Sequence, residues 1–442
     1  MARAHDLSND EFWSLAAGQW MWAHHAFMGL DPFSYTESHR RWVTDEWGSE
    51  LALAALFRAF GSVAYSLYAI ILGGLCLITT AAYARALGAR GGRVVVIVLL
   101  LAVCVGAIAP GDRGLDFSLV WLPLELLILT KARANPRWLL LLPVLCLVWV
   151  NTHGSILLGL FVLAVELGWS LMPERVVQRI GGTNRSPHAG SLGLALLGSV
   201  LASCITPYGP GLLAYDAAVS RNGQIARYIS EWNSPNFHSV VTLLLYCIPL
   251  TVLVLCIWTR RIALLEVSLG TFLFVEAIET QRLVVYLLVV AAGAAATLPA
   301  RAPWGPTARR WAGGGLVLLA IVILAIPAVP AGQVASSQPV AAFSYLEAHP
   351  GRIFTQYTWG DYSVARHRAT FVDGRTDLFE GKVLTEFMAV TNLTTNPDPV
   401  LSGSHVAYVV WAPHTPLALY LARDPRWHVV DRTPVALVFA RR

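Results

Sequence analysis

The sequence predicts an all-α polytopic membrane domain of about ten spanning helices, followed by a small α/β domain. Three observations predict it. Of the 442 residues 56% are hydrophobic and 13% are charged, about half the 25% charged content usual in soluble domains. The long apolar runs are confined to residues 63–330, leaving 1–62 and 331–442 with ordinary polar composition. Finally, the basic residues between the apolar runs alternate in number from loop to loop.

A spanning helix needs about 20 mostly apolar residues. Ten runs qualify as candidates: 63–86, 93–110, 115–130, 137–151, 154–172, 190–206, 239–258, 262–279, 281–299 and 313–330. The run 115–130 carries Pro123 and Glu125, so a broken or tilted helix is expected there. One set of alternate loops holds 14 basic residues, among them Arg85, Arg133, Arg179 and Arg310, and the other holds four, Arg113, Arg221, Arg227 and Arg282. The richer set marks the cytoplasmic side. An even number of spans then puts both ends outside, and a first spanning helix is expected upstream of Met1.

Three segments follow: a first outer loop (1–62), the transmembrane helical domain (63–330) and an extracytoplasmic α/β domain (331–442). The first is dense in aromatic residues, including Trp13, Trp20, Trp42 and Trp47, which favour the lipid headgroup layer. Ser8 and Glu11 read as a capping box opening a helix over 9–28. Asp31-Pro32 ends it in a turn, and a second helix runs from Thr44 to about residue 60. Pro and Gly around 327–339 mark a linker. Beyond it, strands are expected at 352–356, 370–373, 405–411, 427–430 and 435–440, and helices at 340–349, 376–390 and 416–423. That domain has no P-loop, GxGxxG or GxSxG, so it is expected to bind or to shape a site.

All six cysteines lie in apolar runs and no CxxC occurs, which argues against a disulfide framework or a zinc site. The net charge of +5 comes from scattered clusters, and nucleic acid is excluded as a partner. Lysine occurs only at Lys131 and Lys382 beside abundant Arg and Ala, a usage typical of high-GC bacterial genomes.

Ionisable groups near spans need a partner or a wet cavity. Asp112, Arg113 and Asp116 stand at one outer helix junction and Asn151, Thr152 and His153 at a second. Glu231 stands at a third, and Glu276, Glu279 and Arg282 at a fourth. With Asp10, Asp31, Asp45 and Glu46 of the first loop they could line one outward-facing cavity. Structural roles compete for each. Asp10 suits the positive end of a helix, Asp31 suits a turn, Arg113 suits a solvated loop and His153 suits a satisfied interior. Glu276 and Glu279 could chelate a divalent cation, although an ion pair with Arg282 is the expected arrangement. Glu125, Glu166 and Glu266 are expected to pair or snorkel.

Several stretches resemble one group of bacterial multi-spanning proteins that is similar to the GT-C glycosyltransferases. They are Asp10 to Trp20, Asp31-Pro32-Phe33-Ser34-Tyr35-Thr36, Glu46-Trp47, Trp149 to Gly154, Pro207-Tyr208-Gly209 and Glu231-Trp232. In the tail, Tyr357 to Tyr362 and Val372 to Leu378 resemble it too. The resemblance covers nearly the whole chain in order. It implies a GT-C-like fold and a polyprenyl-phosphate sugar donor. Transfer to a glycan, lipid or protein acceptor would then occur outside a bacterial plasma membrane. An acidic residue early in the first outer loop is implied as the base. Asp10 corresponds best, then Asp31 and Glu46, with Ser8 standing where a further acid belongs.

Inverting transfer needs a carboxylate to take the acceptor's proton and a cation to receive the leaving phosphate. Arg113 and Arg282 suit the second role, with His153 and Glu231 beside them. A transporter or lipid flippase would instead show internal repeats and broken midplane helices; no repeat is present, and the ionisable residues gather toward the outer side. A non-enzymatic scaffold that kept the architecture fits the departure at Ser8.

Overall fold

A computed structural model describes residues 10–106, 114–223, 230–260, 262–299 and 338–442. Ser8, Asp112, Arg113 and the run 313–330 lie outside the described residues. The chain clusters into two compact units, Leu67–Pro327 and Ala2–Ser66 with Ala328–Arg442. Residues of the first loop thus belong with the C-terminal segment.

The chain opens with α1 (Asp10–His24), whose first turn carries Asp10 and Glu11, charges that complement the helix dipole. It stops short of the expected residue 28 because His25 turns left-handed, at φ 49°. Next, α2 (Trp47–Phe60) crosses it closely: a Cβ on Gly18 would lie 2.1 Å from the Glu50 carbonyl oxygen. Only glycine lets the two backbones meet at that point.

The helical unit contains α3 (Val63–Ala86), α4 (Gly92–Gly106), α5 (Leu115–Ala132), α6 (Leu142–Val150), α7 (Ile156–Leu171), α8 (Glu174–Arg179), α9 (Ala189–Ser203) and α10 (Gly211–Val219). It continues with α11 (Val240–Trp258), α12 (Leu264–Glu279) and α13 (Val284–Thr297). A two-residue parallel pair, β1 (Gly182–Thr183) with β2 (Ile262–Ala263), ties two of its loops. At its centre is α13, buried along nearly its whole length. There Gly293 admits the Tyr83 ring, which a Cβ would meet at 2.3 Å. The outward faces of α3, α9 and α11 carry Ile78, Leu194, Leu201 and Val240, all exposed, an apolar surface costly in water.

Among the described residues two helices, Val63–Ala86 and Val240–Trp258, are long and apolar enough to cross a membrane. Gly92–Gly106, Pro136–Val150, Ile156–Leu171, Ala189–Ser203 and Gln281–Thr297 are apolar but shorter. Helix length among the described residues therefore leaves the expected count of ten full spans unconfirmed. Several runs open with a 3₁₀ turn or a proline, which shortens the regular helix: Pro136–Leu141 precedes α6, and Gln281–Leu283 precedes α13.

Of the acids that the sequence singled out within apolar runs, two are paired. Arg133 reaches Glu166 at 3.2 Å and Glu266 at 4.0 Å, and the Tyr83 hydroxyl donates to Glu266 at 2.9 Å. Glu125 is buried against Trp149 and Gly159, and its two oxygens have no hydrogen-bond partner among the described residues.

The C-terminal segment holds α14 (Val340–Glu347), β3 (Arg352–Thr355), α15 (Tyr357–Ala365), α16 (Thr376–Phe379), α17 (Lys382–Thr391), α18 (Asp398–Gly403), β4 (Val406–Trp411), α19 (Pro416–Arg423), β5 (Trp427–Arg432) and β6 (Leu437–Arg441). Its sheet has the order β3-β4-β6-β5, with β3 parallel to β4 and the other pairs antiparallel. Phe354, Phe371, Phe387 and Trp411 pack together beneath it. Two expectations need correction. Residues 376–390 form two helices, because Gly381 takes φ 94° between them. Residues 370–373 form no strand and pair only through Thr370, which bridges Ser34 of the first loop.

Candidate functional site

In the unit formed by the first loop and the C-terminal segment, acidic groups gather around one arginine. Arg375 is 2% exposed, so its charge must be matched inside the protein. Asp373 matches it with a fork, 2.8 Å to Nε and 2.6 Å to Nη2, and Asp31 accepts from Nη1 at 2.7 Å. The rings of Phe33, Trp42 and Phe379 stand around the guanidinium, Trp42 nearest at 4.4 Å, where ring faces attract a cation. These carboxylates hold the guanidinium charged despite its burial.

Asp31 also accepts from the Phe33 and Ser34 backbone N–H groups, at 3.0 and 2.9 Å. Both of its oxygens are thus engaged in a turn and an ion pair, and it is 3% exposed. Such a carboxylate fastens chain segments and is poorly placed to collect a proton from an acceptor.

Asp10 is half-buried at the start of α1. Its Oδ1 is 3.4 Å from the Trp13 indole N–H. Gly374 brings it near a second carboxylate: a Cβ there would lie 3.2 Å from Asp10 Oδ1 and 2.9 Å from Asp361 Oδ1. Asp361 accepts the Gly374 N–H at 2.6 Å, while its Oδ2 is buried and has no hydrogen-bond partner among the described residues. Burial, then Asp373 and Asp10, push the Asp361 pKa well above the usual carboxylate range. The tight fit is set by Gly360, where a Cβ would come within 2.1 Å of the Val372 carbonyl oxygen.

Glu46 is half-buried at the N-terminus of α2, where its carbonyl accepts from Ser49 and Glu50. Burial, reinforced by Glu46 and Asp45, pushes the Glu50 pKa well up.

The helical unit holds a second constellation, between the end of α6 and the start of α13. His153 is 5% exposed. Its Nδ1 accepts the Ser155 backbone N–H at 3.0 Å and lies 2.9 Å from Ser118 Oγ and 2.8 Å from Ser155 Oγ. On the other side, Nε2 is 3.4 Å from Arg282 Nη2. Burial and the adjacent guanidinium hold the His153 pKa well below its ordinary value, so this imidazole is neutral. The Arg282 guanidinium also stands over the Trp232 ring at 5.4 Å. A backbone bond from Gln281 N–H to the Asn233 carbonyl at 3.0 Å joins the two turns.

Among the substrate-binding candidates, His153 and Arg282 meet. Glu231 precedes Trp232 on the same turn, Ser230–Trp232. Arg113 is outside the described residues. The expected ion pair of Arg282 with Glu276 or Glu279 is absent: among the described residues Arg282 has no carboxylate within ion-pair distance. Thr280 leaves the helix at φ −129°, and the 3₁₀ turn that follows carries Arg282 off the α12 face. Among the described residues no group of three or more His, Cys, Asp or Glu could hold a metal ion.

Sequence reasoning gave no role to Asp361, Asp373, Arg375 or Trp232. The signal was charge inside the stretch Val372-Asp373-Gly374-Arg375-Thr376-Asp377, which lies between buried Phe371 and Leu378.

No protein-family profile matches the sequence, and no curated protein matches it. Solved structures do match the fold. The archaeal oligosaccharyltransferase AglB from Archaeoglobus fulgidus, in complex with an inhibitory peptide and a dolichol-phosphate, has a TM-score of 0.64 at 11% identity. The likeness covers 93% of this chain and 66% of that one, so this chain spans slightly under two thirds of that enzyme's length. The same oligosaccharyltransferase tethered to an acceptor peptide containing the NVT sequon gives 0.61 at 11% identity, over 92% and 65% of the two chains. ArnT from Cupriavidus metallidurans, bound to undecaprenyl phosphate, gives 0.56 at 16% identity, over 98% of this chain and 95% of its own. At these identities the likeness establishes architecture alone: the chain has the fold of the GT-C glycosyltransferases.

Proposed function

We propose that this chain is a membrane glycosyltransferase that moves a sugar from a polyprenyl-phosphate donor to an acceptor outside the cytoplasm. The observation that carries the reading is Arg282. A guanidinium with no carboxylate within ion-pair distance among the described residues, set beside a neutral imidazole and an indole face, suits an incoming anion. Two proteins of this fold are solved with dolichol-phosphate and undecaprenyl phosphate, which supports a lipid phosphate as that anion.

In the reaction the acceptor hydroxyl loses its proton to a carboxylate as its oxygen bonds to the anomeric carbon. The bond from that carbon to the phosphate oxygen breaks, and the phosphate leaves with the electron pair. Arg282, assisted by His153, receives the charge. Asp10 is assigned the base role in preference to Asp31, whose oxygens are engaged by Arg375 and two backbone groups, and to Glu46, at the start of α2.

The test is sugar transfer by the reconstituted full chain from candidate polyprenyl-phosphate donors. Asp10→Asn is expected to lower kcat by about 10²–10⁴-fold. Full activity in that variant removes Asp10 from the role, and absence of transfer from every donor overturns the reading.

A further inference from the structure

The bend that follows α15 sets two acids around one glycine. A Cβ on Gly374 would lie 2.9 and 3.0 Å from the two Asp361 carboxyl oxygens and 3.2 Å from Asp10 Oδ1. Any side chain at that position would stand between the acids. Asp361 is fully buried. Its Oδ1 accepts the Gly374 N–H at 2.6 Å, whereas its Oδ2 has no hydrogen-bond partner among the described residues. The nearby cation is already matched, by Asp373 at 2.6 Å and Asp31 at 2.7 Å from Arg375. An ionised Asp361 would thus be one buried carboxylate too many. A protonated Asp361 keeps Oδ1 as the acceptor for Gly374 and makes Oδ2 a donor. Both Asp373 oxygens are committed to Arg375, and the Tyr357 hydroxyl is engaged with the Gly374 carbonyl and the Thr376 hydroxyl. That leaves Asp10, on α1, as the carboxylate set against the Asp361 proton.

We infer that Asp10 and Asp361 work as one carboxyl pair holding a single proton, with Asp361 Oδ2–H donating to Asp10 and so positioning it as the base. The inference rests on the proposed assignment of Asp10 to that role and deepens it. Being fully buried, Asp361 is a positioning residue that acts through Asp10. Two carboxyls this close titrate as a unit, and the first proton is shared. A hydrogen bond to the ionised form favours that form, so the donor keeps Asp10 deprotonated and ready. As the acceptor's O–H bond breaks, its proton passes to Asp10 while Asp361 keeps its own. The pair goes from one proton and one negative charge to two protons and none, so the step adds no buried charge. The other groups facing Asp361 are Asp373 and Arg375, closed on each other in an ion pair, and Tyr357 of its own helix.

Two measurements on the full chain in lipid nanodiscs test this. Infrared spectra of protein carrying carbon-13 aspartate are expected to show, near neutral pH, a carboxylic-acid C=O band that Asp361→Asn removes and Asp10→Asn shifts. Absence of that band, or its persistence unshifted in Asp10→Asn, overturns the inference whether or not the chain transfers sugar. The second measurement follows the ionisation of Asp10 against pH, its carboxylate band identified by its loss in Asp10→Asn. Asp361→Asn keeps an acceptor for the Gly374 N–H and an N–H donor for Asp10; Asp361→Leu keeps neither. Removing the donor is expected to raise the Asp10 midpoint by about 1–2 pH units in Asp361→Leu. In Asp361→Asn the midpoint is expected to stay within about half a unit of the parent. A purely structural role for Asp361 would leave the midpoint unmoved in both variants, and that result overturns the pair. Should Asp361→Leu not fold, the Asp10→Asn spectrum decides alone. The expected band and midpoints without any sugar transfer leave the shared proton standing and remove only the transferase reading.

Discussion

Arg375 and Asp31, 344 residues apart in the chain, are held 2.7 Å from one another in an interior almost sealed from solvent. The pair joins the turn after α1 to the segment after α15. Removing one member of such a pair leaves an uncompensated buried charge. Arg375→Met is therefore expected to cost about 3–5 kcal/mol, read as a lowered denaturation midpoint of the full chain in detergent. Asp31→Asn keeps an acceptor for the Phe33 and Ser34 N–H groups and is expected to cost less.

Asp361 makes stability depend on pH. Burial and the carboxylates of Asp373 and Asp10 raise its folded-state pKa well above the ordinary 3.8, against the opposing pull of the Gly374 N–H and Arg375. A raised acid contributes stability that is complete below the unfolded pKa and is lost as pH rises through the folded pKa. Asp361→Asn keeps an acceptor for Gly374 N–H and removes the titration. The variant is expected to match the parent near pH 4 and to melt higher at pH 7–8. Parallel melting curves across that range would contradict the assignment.

Gly18 and Gly74 make a matched pair. Gly18→Ala sets a methyl against the Glu50 carbonyl and is expected to destabilise by about 1–3 kcal/mol through backbone displacement. A Cβ on Gly74 of α3 meets nothing within 4 Å, so Gly74→Ala is expected to be neutral or slightly stabilising. Thermal unfolding of both variants separates helix propensity from steric demand.

At the helical unit's cation, Arg282→Ala removes a charged donor and is expected to lower kcat/KM for the lipid donor by about 10–150-fold. Trp232→Ala removes only the ring face and is expected to lower it about 2–5-fold. A larger loss at Trp232 than at Arg282 would reverse the assigned roles.

Apolar runs showed where most helices of Leu67–Pro327 lie, because a hydrophobic stretch leaves its mark in the local sequence. Where a run becomes regular helix was less legible, since Pro136 and Thr280 replace the helical start or end with tighter turns. In the C-terminal segment, β4 and β6 were legible from their apolar strands. The stretch 370–373 was misread, because its apolar residues serve a bend around Asp373 and Gly374. Charged partners were the least legible part. Glu276 and Glu279, close to Arg282 in sequence, looked like its partners, yet helix geometry turned it toward Trp232 and His153 from other turns. Asp31 read as a turn former and is one, but its salt bridge depends on a residue near the far end of the chain.

That separation has a temporal consequence for a protein made on a ribosome. At about 5–20 residues per second, roughly 20–70 s pass between synthesis of Asp31 and synthesis of Arg375. Throughout that interval Asp31 exists without the guanidinium that later pairs with it. Completion of this unit is therefore a late event in biogenesis, and a chain stalled before residue 375 would leave that carboxylate uncompensated.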